Sequence, residues 1–187
     1  MQIADVQDII DHEMLSHDEI VNRIHEVAKQ IDKDYAGKTP IVICVLKGAV
    51  ATYYELTQAM TIPMKMDFMS LSSYGSGFES TGKITVRQDL SYDVAGEDVL
   101  IVEDIVDSGN TLHWLVGELN RRGAKSVEIF SLLEKPARHT AKVELKYKGF
   151  VIPDEFVLGF GLDYDEEYRN LDSIAVLKPE VYKGANS

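Results

Sequence analysis

The residues from Val99 to Leu112, VLIVEDIVDSGNTL, set three carboxylates at the end of an apolar run. Glu103 and Asp104 are adjacent, Asp107 follows beyond Ile105 and Val106, and the small-residue turn Ser108-Gly109-Asn110-Thr111 then opens into a helical pattern. A strand that feeds a helix through small residues presents free backbone N–H groups and the positive end of the helix dipole, an arrangement that holds a phosphate. Ser108 and Thr111 add hydroxyl donors, and Gly109 permits close approach. The G-x-x-x-x-G-K-[ST] and G-x-G-x-x-G spacings are both absent, so the turn is neither a P-loop nor a dinucleotide fingerprint. A plain strand–helix connection capped by a serine or asparagine explains the turn alone, but it leaves the acids unexplained. Three like charges at the head of a buried strand repel one another and a phosphate unless a polyhydroxylated or cationic group lies between them. A ribose is such a partner: Glu103 and Asp104 each accept from a hydroxyl, and Asp107 is left for proton transfer.

The elements that must position these residues alternate. LSHDEIVNRIHEVAKQID begins with a capping box from Ser16 to Glu19 and carries Ile20, Ile24, Val27 and Ile31 on one helical face. IVICVL is a continuous apolar run of strand length, the signature of a strand covered on both faces in a mainly parallel sheet. A helix is expected from Gly48 towards Met60, a strand over MKMDFMSLSSY, a glycine- and serine-rich mobile loop over GSGFESTGK, and a short strand over KITVRQDL. DVLIVED is a second buried strand, and NTLHWLVGELNRRG an amphipathic helix with Leu112, Leu115, Val116 and Leu119 inward and Gly123 as its stop. SVEIFSLLEK is a third strand ended by Pro136, with late strands at FVLGFG and SIAVLKP. Ligands of crossover-built parallel sheets sit at the carboxyl ends of the strands, which places Lys47, Glu103, Asp104, Lys135 and Asp163 along one rim.

Bulk composition narrows the partners. The 187 residues suit one domain, residues 1–187, and 45% are hydrophobic and 27% charged. A net charge of -12 argues against a nucleic-acid partner but leaves room for a small anion in a local pocket. The single cysteine, Cys44, lies inside IVICVL and reads as a small buried hydrophobe. Without a leader-like N-terminus or a run long enough to span a bilayer, no membrane partner and a cytoplasmic location are expected.

VLIVEDIVDSGNTL resembles the 5-phosphoribosyl-1-pyrophosphate motif of the type I phosphoribosyltransferases, with Ser108 where many relatives carry threonine. VLKGA, SLSSYGSG, LLEKP and IPDEFVLGFGLDYDEEYRNL extend the resemblance to the hypoxanthine(-guanine) branch of bacterial type, over about Ser16 to Pro179. The resemblance implies a mainly parallel central sheet flanked by helices, with a small hood built from the chain termini. It implies transfer of the 5-phosphoribosyl group from 5-phosphoribosyl-1-pyrophosphate (PRPP) to N9 of hypoxanthine or guanine in purine salvage, with Mg2+ as cofactor, giving IMP or GMP and pyrophosphate. Glu103 and Asp104 would then hold the ribose hydroxyls, Asp107 would face purine N7 as general base, and Asp107, Ser108, Gly109, Asn110 and Thr111 would hold the 5′-phosphate.

The same resemblance gives Lys47, Gly48 and Arg169 to pyrophosphate, with an unusual Leu46–Lys47 peptide, a candidate for the cis form, whose backbone meets the pyrophosphate beside Gly48. Lys135 would donate to purine O6, Phe156 would stack on the ring, and the Val157 backbone would meet the N1/N2 edge. Asp163 would contact the metal directly or through water, as would Glu103 and Asp104, and Asp165, Glu166 and Glu167 read as a solvated helix face. Ser73 and Tyr74 would begin a lid over residues 73–83, and a homodimer or homotetramer is expected. Two rivals stay open at this stage: a relative using xanthine or a pyrimidine, and a regulator of the same fold that binds RNA or DNA.

Overall fold

The computed structural model describes residues 1–73 and 84–183. Its elements run β1 (Ile10–Leu15), α1 (His17–Asp34), β2 (Ile41–Leu46), α2 (Val50–Ala59), β3 (Lys65–Ser73), β4 (Ile84–Gln88), β5 (Asp98–Val106), α3 (Asn110–Arg121), β6 (Ser126–Glu134), β7 (Tyr147–Val151), β8 (Val157–Leu158), β9 (Ile174–Leu177) and α4 (Pro179–Lys183). One sheet has the order β4-β3-β2-β5-β6-β7, and a smaller one has β1-β9-β8. Every pairing in the larger sheet is parallel except that of β4 with β3.

The apolar runs are continuous because each central strand serves two cores. In β2, Val42 and Cys44 join one cluster with Ile20, Ile24, Val27 and Ile31 of α1 and Leu56 of α2. Ile41, Ile43 and Val45 point the other way, into a cluster with Leu112, Leu115 and Leu119 of α3. β5 divides likewise, Leu100 and Val102 against Val99 and Ile101. A strand covered on both faces has no position left for a polar residue, which is why alternation is lost. Helix α1 starts where its capping box sets it, Ser16 accepting from the Glu19 backbone while the Glu19 carboxylate reaches back to Ser16. That reciprocal cap is worth about 1 kcal/mol. Cys44 is fully buried, and burial followed by the nearby charges of Glu103 and Asp104 pushes its thiol up to about 12, so it is a packing residue.

The smaller sheet joins a strand near the N-terminus to two near the C-terminus, over a third cluster of Val6, Ile10, Leu158, Leu171, Ala175 and Leu177. It is the hood expected from the chain termini. Two strands have no counterpart in the sequence reading. β1 buries chiefly Ile10 and leaves its middle residues exposed, so no alternation marks it. β7 is a sheet-edge strand containing Gly149, where any Cβ would overlap the Leu132 carbonyl of β6. The late strand at FVLGFG shrinks to β8, because Gly159 (φ +95°) and Gly161 (φ +99°) turn the chain with left-handed backbone. Of the expected lid, Tyr74 and residues 75–83 lie outside the described residues. Among the described residues, no helix is long and apolar enough to cross a membrane.

Candidate active site

From β2 the chain crosses to β3 on one side, and its next parallel neighbour on the other side is β5. The carboxyl ends of β2 and β5 therefore flank a topological switch point, where sheets of this kind open a crevice. Lys47 follows β2, Asp107 follows β5 and Lys135 follows β6, all on that edge. The Leu46–Lys47 peptide is cis. A side chain on Gly48 would overlap the Asp104 carboxylate, and one on Gly161 would overlap the Gly48 carbonyl. Two backbone segments and the Asp104 side chain thus meet around Gly48, and only hydrogen fits between them.

Glu103 is 8% exposed, and its Oε1 accepts from the Asp104 backbone at 3.2 Å. Asp104 Oδ1 accepts from the Ile105 backbone at 2.8 Å. Burial, and then the Asp104 charge, push the Glu103 carboxyl well above its ordinary value. A folded-state acid raised in this way loses its proton later than it does in the unfolded chain, so folding stability falls as pH rises above the ordinary glutamate range. Glu103→Gln removes that loss. Without added divalent cations the variant should melt above the parent at neutral pH. The gain should vanish below about pH 4, where both states are protonated. Calorimetry across pH reads it, and equal melting at neutral pH would show that the carboxyl is not destabilised by its burial.

Beyond Asp107, Gly109 adopts φ +79° and caps α3, so the Ser108–Thr111 turn points its N–H groups out from the helix start. The Ser108 hydroxyl accepts from Asn110 N at 3.3 Å. Its carbonyl accepts from Thr140 N at 3.0 Å and Ala141 N at 3.1 Å, which pins the turn to the segment after β6. A cavity of about 230 Å³ lies over it, lined by Glu103, Asp107, Ser108, Gly109, Thr111 and Leu112 among others.

A second cavity, about 240 Å³, is lined by Asp107, Lys135, Arg138, Phe156 and Val157, together with Ile105 and Leu162. The two cavities share Ile105 and Asp107. Lys135 is largely buried, its Nζ donates to the Glu155 carbonyl, and burial lowers its pKa despite the attraction of Asp107 and Asp154. Phe156 remains 38% exposed, stacked at 5.2 Å on Tyr182 of α4 and edge-on at 5.8 Å to Tyr164. Arg138 Nε lies 2.6 Å from Asp107 Oδ1, and its NH1 lies 3.4 Å from Asp154. The Arg138–Asp107 contact lacks hydrogen-bond alignment, so Oδ1 still has a lone pair to offer.

Past β8, Arg169 NH2 pairs with Asp163 at 2.7 Å and NH1 donates to the Gly161 carbonyl at 2.8 Å. Glu166 Oε2 sits 2.6 Å from Lys47 Nζ and 3.5 Å from Arg169 NH2, and Lys47 holds the Glu166 carboxyl below its ordinary value. The reading of residues 165–167 as a solvated helix face is corrected as to the helix: Asp165, Glu166 and Glu167 are exposed, but the segment is not helical. The segment is a turn with left-handed backbone at Asp165 (φ 52°), Glu166 (φ 66°) and Tyr168 (φ 68°), and one of its acids bridges two cations.

A phosphoribosyl transferase domain family model matches residues 12–165. The chain belongs to that family. A hypoxanthine-guanine phosphoribosyltransferase of Streptococcus pneumoniae is 47% identical over 90% of this chain and 94% of its own length. The bifunctional protein TilS/HprT of Listeria monocytogenes is 46% identical over 90% of this chain, which spans only 26% of that longer relative. A crystal structure of a hypoxanthine phosphoribosyltransferase from Staphylococcus aureus superposes with TM-score 0.92 at 42% identity, covering 95% of this chain and 97% of its own.

In this phosphoribosyl transferase fold, the sequence-predicted residues fall into three neighbourhoods. Glu103, Asp107, Ser108, Gly109 and Thr111 share the first cavity, with Asn110 outside its lining, while Lys135, Phe156 and Val157 share the second with Asp107. Lys47, Gly48, Asp104, Asp163 and Arg169 are linked through Gly48, Gly161 and Glu166. Arg138 has no place in the sequence reading, and Glu166 figures there only as part of a solvated face. Arg138 follows Lys135 closely enough to share its loop, but only the turn at Pro136–Arg138 brings it over Asp107.

Proposed function

We propose that this chain moves the 5-phosphoribosyl group from PRPP to N9 of hypoxanthine or guanine, releasing pyrophosphate and giving IMP or GMP for purine salvage. The observation that carries the reading is the junction of the two cavities at Asp107, one lined by Glu103 and the turn before α3 and one by Lys135, Phe156 and Val157. The relatives' names point the same way.

In this reading the Ser108–Thr111 turn holds the 5′-phosphate with N–H donors and the α3 dipole. Glu103 and Asp104 accept from the ribose hydroxyls, and hydroxyl donors relieve the mutual repulsion of the two acids. Lys135 turns its ammonium to purine O6, Phe156 covers the ring, and the Val157 backbone meets the N1/N2 edge. As N9 bonds to C1′ and the C1′–O bond to pyrophosphate breaks, the proton on N7 passes to Asp107. Lys47, Gly48 and Arg169 receive the departing pyrophosphate.

The donors on this rim suit Mg2+. They are hard carboxylate oxygens, and the buried Glu103 is a carboxyl whose ionised form a nearby cation would favour. Among the described residues, no three acids, histidines or cysteines form a cage. The ion would be carried largely by substrate oxygens, with Asp163, Glu103 and Asp104 meeting it directly or through water. Bound with PRPP, Mg2+ supplies charge neutralisation of the leaving pyrophosphate.

We read the chain as one cytosolic domain that assembles with copies of itself. Support for assembly comes from Val50 and Tyr54 of α2 and Met66 and Phe68 of β3, large apolar side chains left exposed on elements joined by the Tyr53–Phe68 contact at 5.5 Å. Light scattering on the purified chain reads the assembly. The activity itself is tested by incubating the chain with PRPP, Mg2+ and hypoxanthine. Equal amounts of IMP and pyrophosphate are expected, and the absence of both products would overturn the assignment.

A further inference from the structure

The pyrophosphate side of the site contains an acid that the proposed chemistry does not use. Glu166 sits between two groups assigned to pyrophosphate, 2.6 Å from Lys47 Nζ and 3.5 Å from Arg169 NH2. Its side chain is exposed, but the backbone that carries it is held. The backbone turns left-handed at Glu166 itself and at Asp165 and Tyr168, conformations that residues with a Cβ adopt rarely and that mark a segment held for a purpose. The Glu166 N–H donates to Asp163 Oδ2 at 3.0 Å, and Tyr164 and Glu167 close the turn with a mutual pair of backbone bonds at 3.2 and 3.0 Å. At its base the loop touches the strand-end segment directly, because Gly161 leaves no room for a Cβ against the Gly48 carbonyl. Arg169 is also anchored from the other side, through Asp163 and the Gly161 carbonyl, while its buried Nε has no hydrogen-bond partner among the described residues.

We infer that Glu166 is a built-in competitor of the pyrophosphate group: its carboxylate occupies the same two cations, and PRPP or pyrophosphate must draw them away from it to bind. The inference rests on the assignment of Lys47, Gly48 and Arg169 to pyrophosphate, and extends the part of Lys47 from its backbone to its ammonium. A cation turning to a phosphate oxygen gives up its partner carboxylate, and that carboxylate stays nearby as a like charge to the ligand. Glu166 thereby weakens the hold on pyrophosphate and favours its exit once transfer is complete. It acts through Lys47 and Arg169 and is a positioning residue, with no contact of its own to the ligand. A purely structural part, clamping the loop in place, predicts the opposite sign, because loosening the loop would loosen the cations.

Calorimetric titration of inorganic pyrophosphate with Mg2+ separates these cases. Glu166→Gln should tighten the Kd about two- to fivefold, the range expected when one exposed ion pair no longer competes. The KM for PRPP should fall with it, and the KM for the purine should not move. Glu167→Gln removes the same unit of charge one residue away and should leave the Kd unchanged, which excludes a long-range charge effect. Arg169→Gln should weaken the Kd, and adding Glu166→Gln to it should give less tightening than in the parent. If Arg169→Gln weakens binding while Glu166→Gln leaves it unchanged or weaker, the competitor is overturned and the pyrophosphate assignment stands. Equal tightening by Glu167→Gln also overturns it. If Arg169→Gln has no effect, the assignment of Arg169 falls and the competitor with it. Glu166→Ala gives a second reading of the sign should the glutamine keep a hydrogen bond to Lys47.

Discussion

Asp107→Asn should lower kcat by about 10²–10⁴, the usual contribution of a positioned general base, while the Kd for PRPP changes little. The amide keeps the size of the carboxylate and can still line both cavities that meet at this residue. It cannot take a proton from N7 as the new bond forms. Loss concentrated in kcat is the mark of an interaction made in the transition state. Single-turnover rates measured beside PRPP binding separate the two quantities, and unchanged turnover would reject Asp107 as the base. Arg138, 2.6 Å from the same carboxylate, holds it at the junction.

Base choice carries the second large effect, and it rests on Lys135. An ammonium has donors only. Hypoxanthine and guanine offer it O6, whereas adenine offers an amino group, so donor would face donor. Turning away from the Glu155 carbonyl to a group that cannot accept would leave the largely buried Lys135 charge unpaired. Sites built around one polar contact reject the wrong partner by about 10⁴–10⁵, and adenine should be a negligible substrate. Lys135→Ala should lower kcat/KM for hypoxanthine and guanine and shrink their advantage over adenine, since the penalty leaves with the charge. An advantage that survives undiminished in the variant would move base selection elsewhere.

What could be read from the chain and what could not divides on physical grounds. β2 and β5 were legible because strands buried on both faces advertise themselves as unbroken apolar runs, and their ends carried the acids and Lys47 into view. Glu103, Asp104 and Asp107 stood out because three acids beside a buried strand demand an explanation that packing cannot give. β1 and β7 were not legible: both lie at a sheet edge, and half-exposed edge strands carry mixed composition. Residues 165–167 are exposed as expected but form a turn in place of a helix, for a different reason. Asp-Glu-Glu composition suits an exposed helix, and nothing in those residue types signals left-handed backbone at Glu166 or Tyr168. The role of Arg138 depends on a turn after Pro136, and the stacking of Phe156 on Tyr182 depends on α4 returning to the site. Such contacts arise from tertiary structure and leave no local pattern to find.

The most direct measurement is a panel of initial rates with PRPP and Mg2+ against hypoxanthine, guanine, xanthine, adenine and uracil under one set of conditions. Rapid nucleotide formation with hypoxanthine or guanine is expected, with adenine and uracil about 10⁴-fold or more slower. Comparable rates for adenine and hypoxanthine would contradict the role of Lys135 and the 6-oxopurine assignment together.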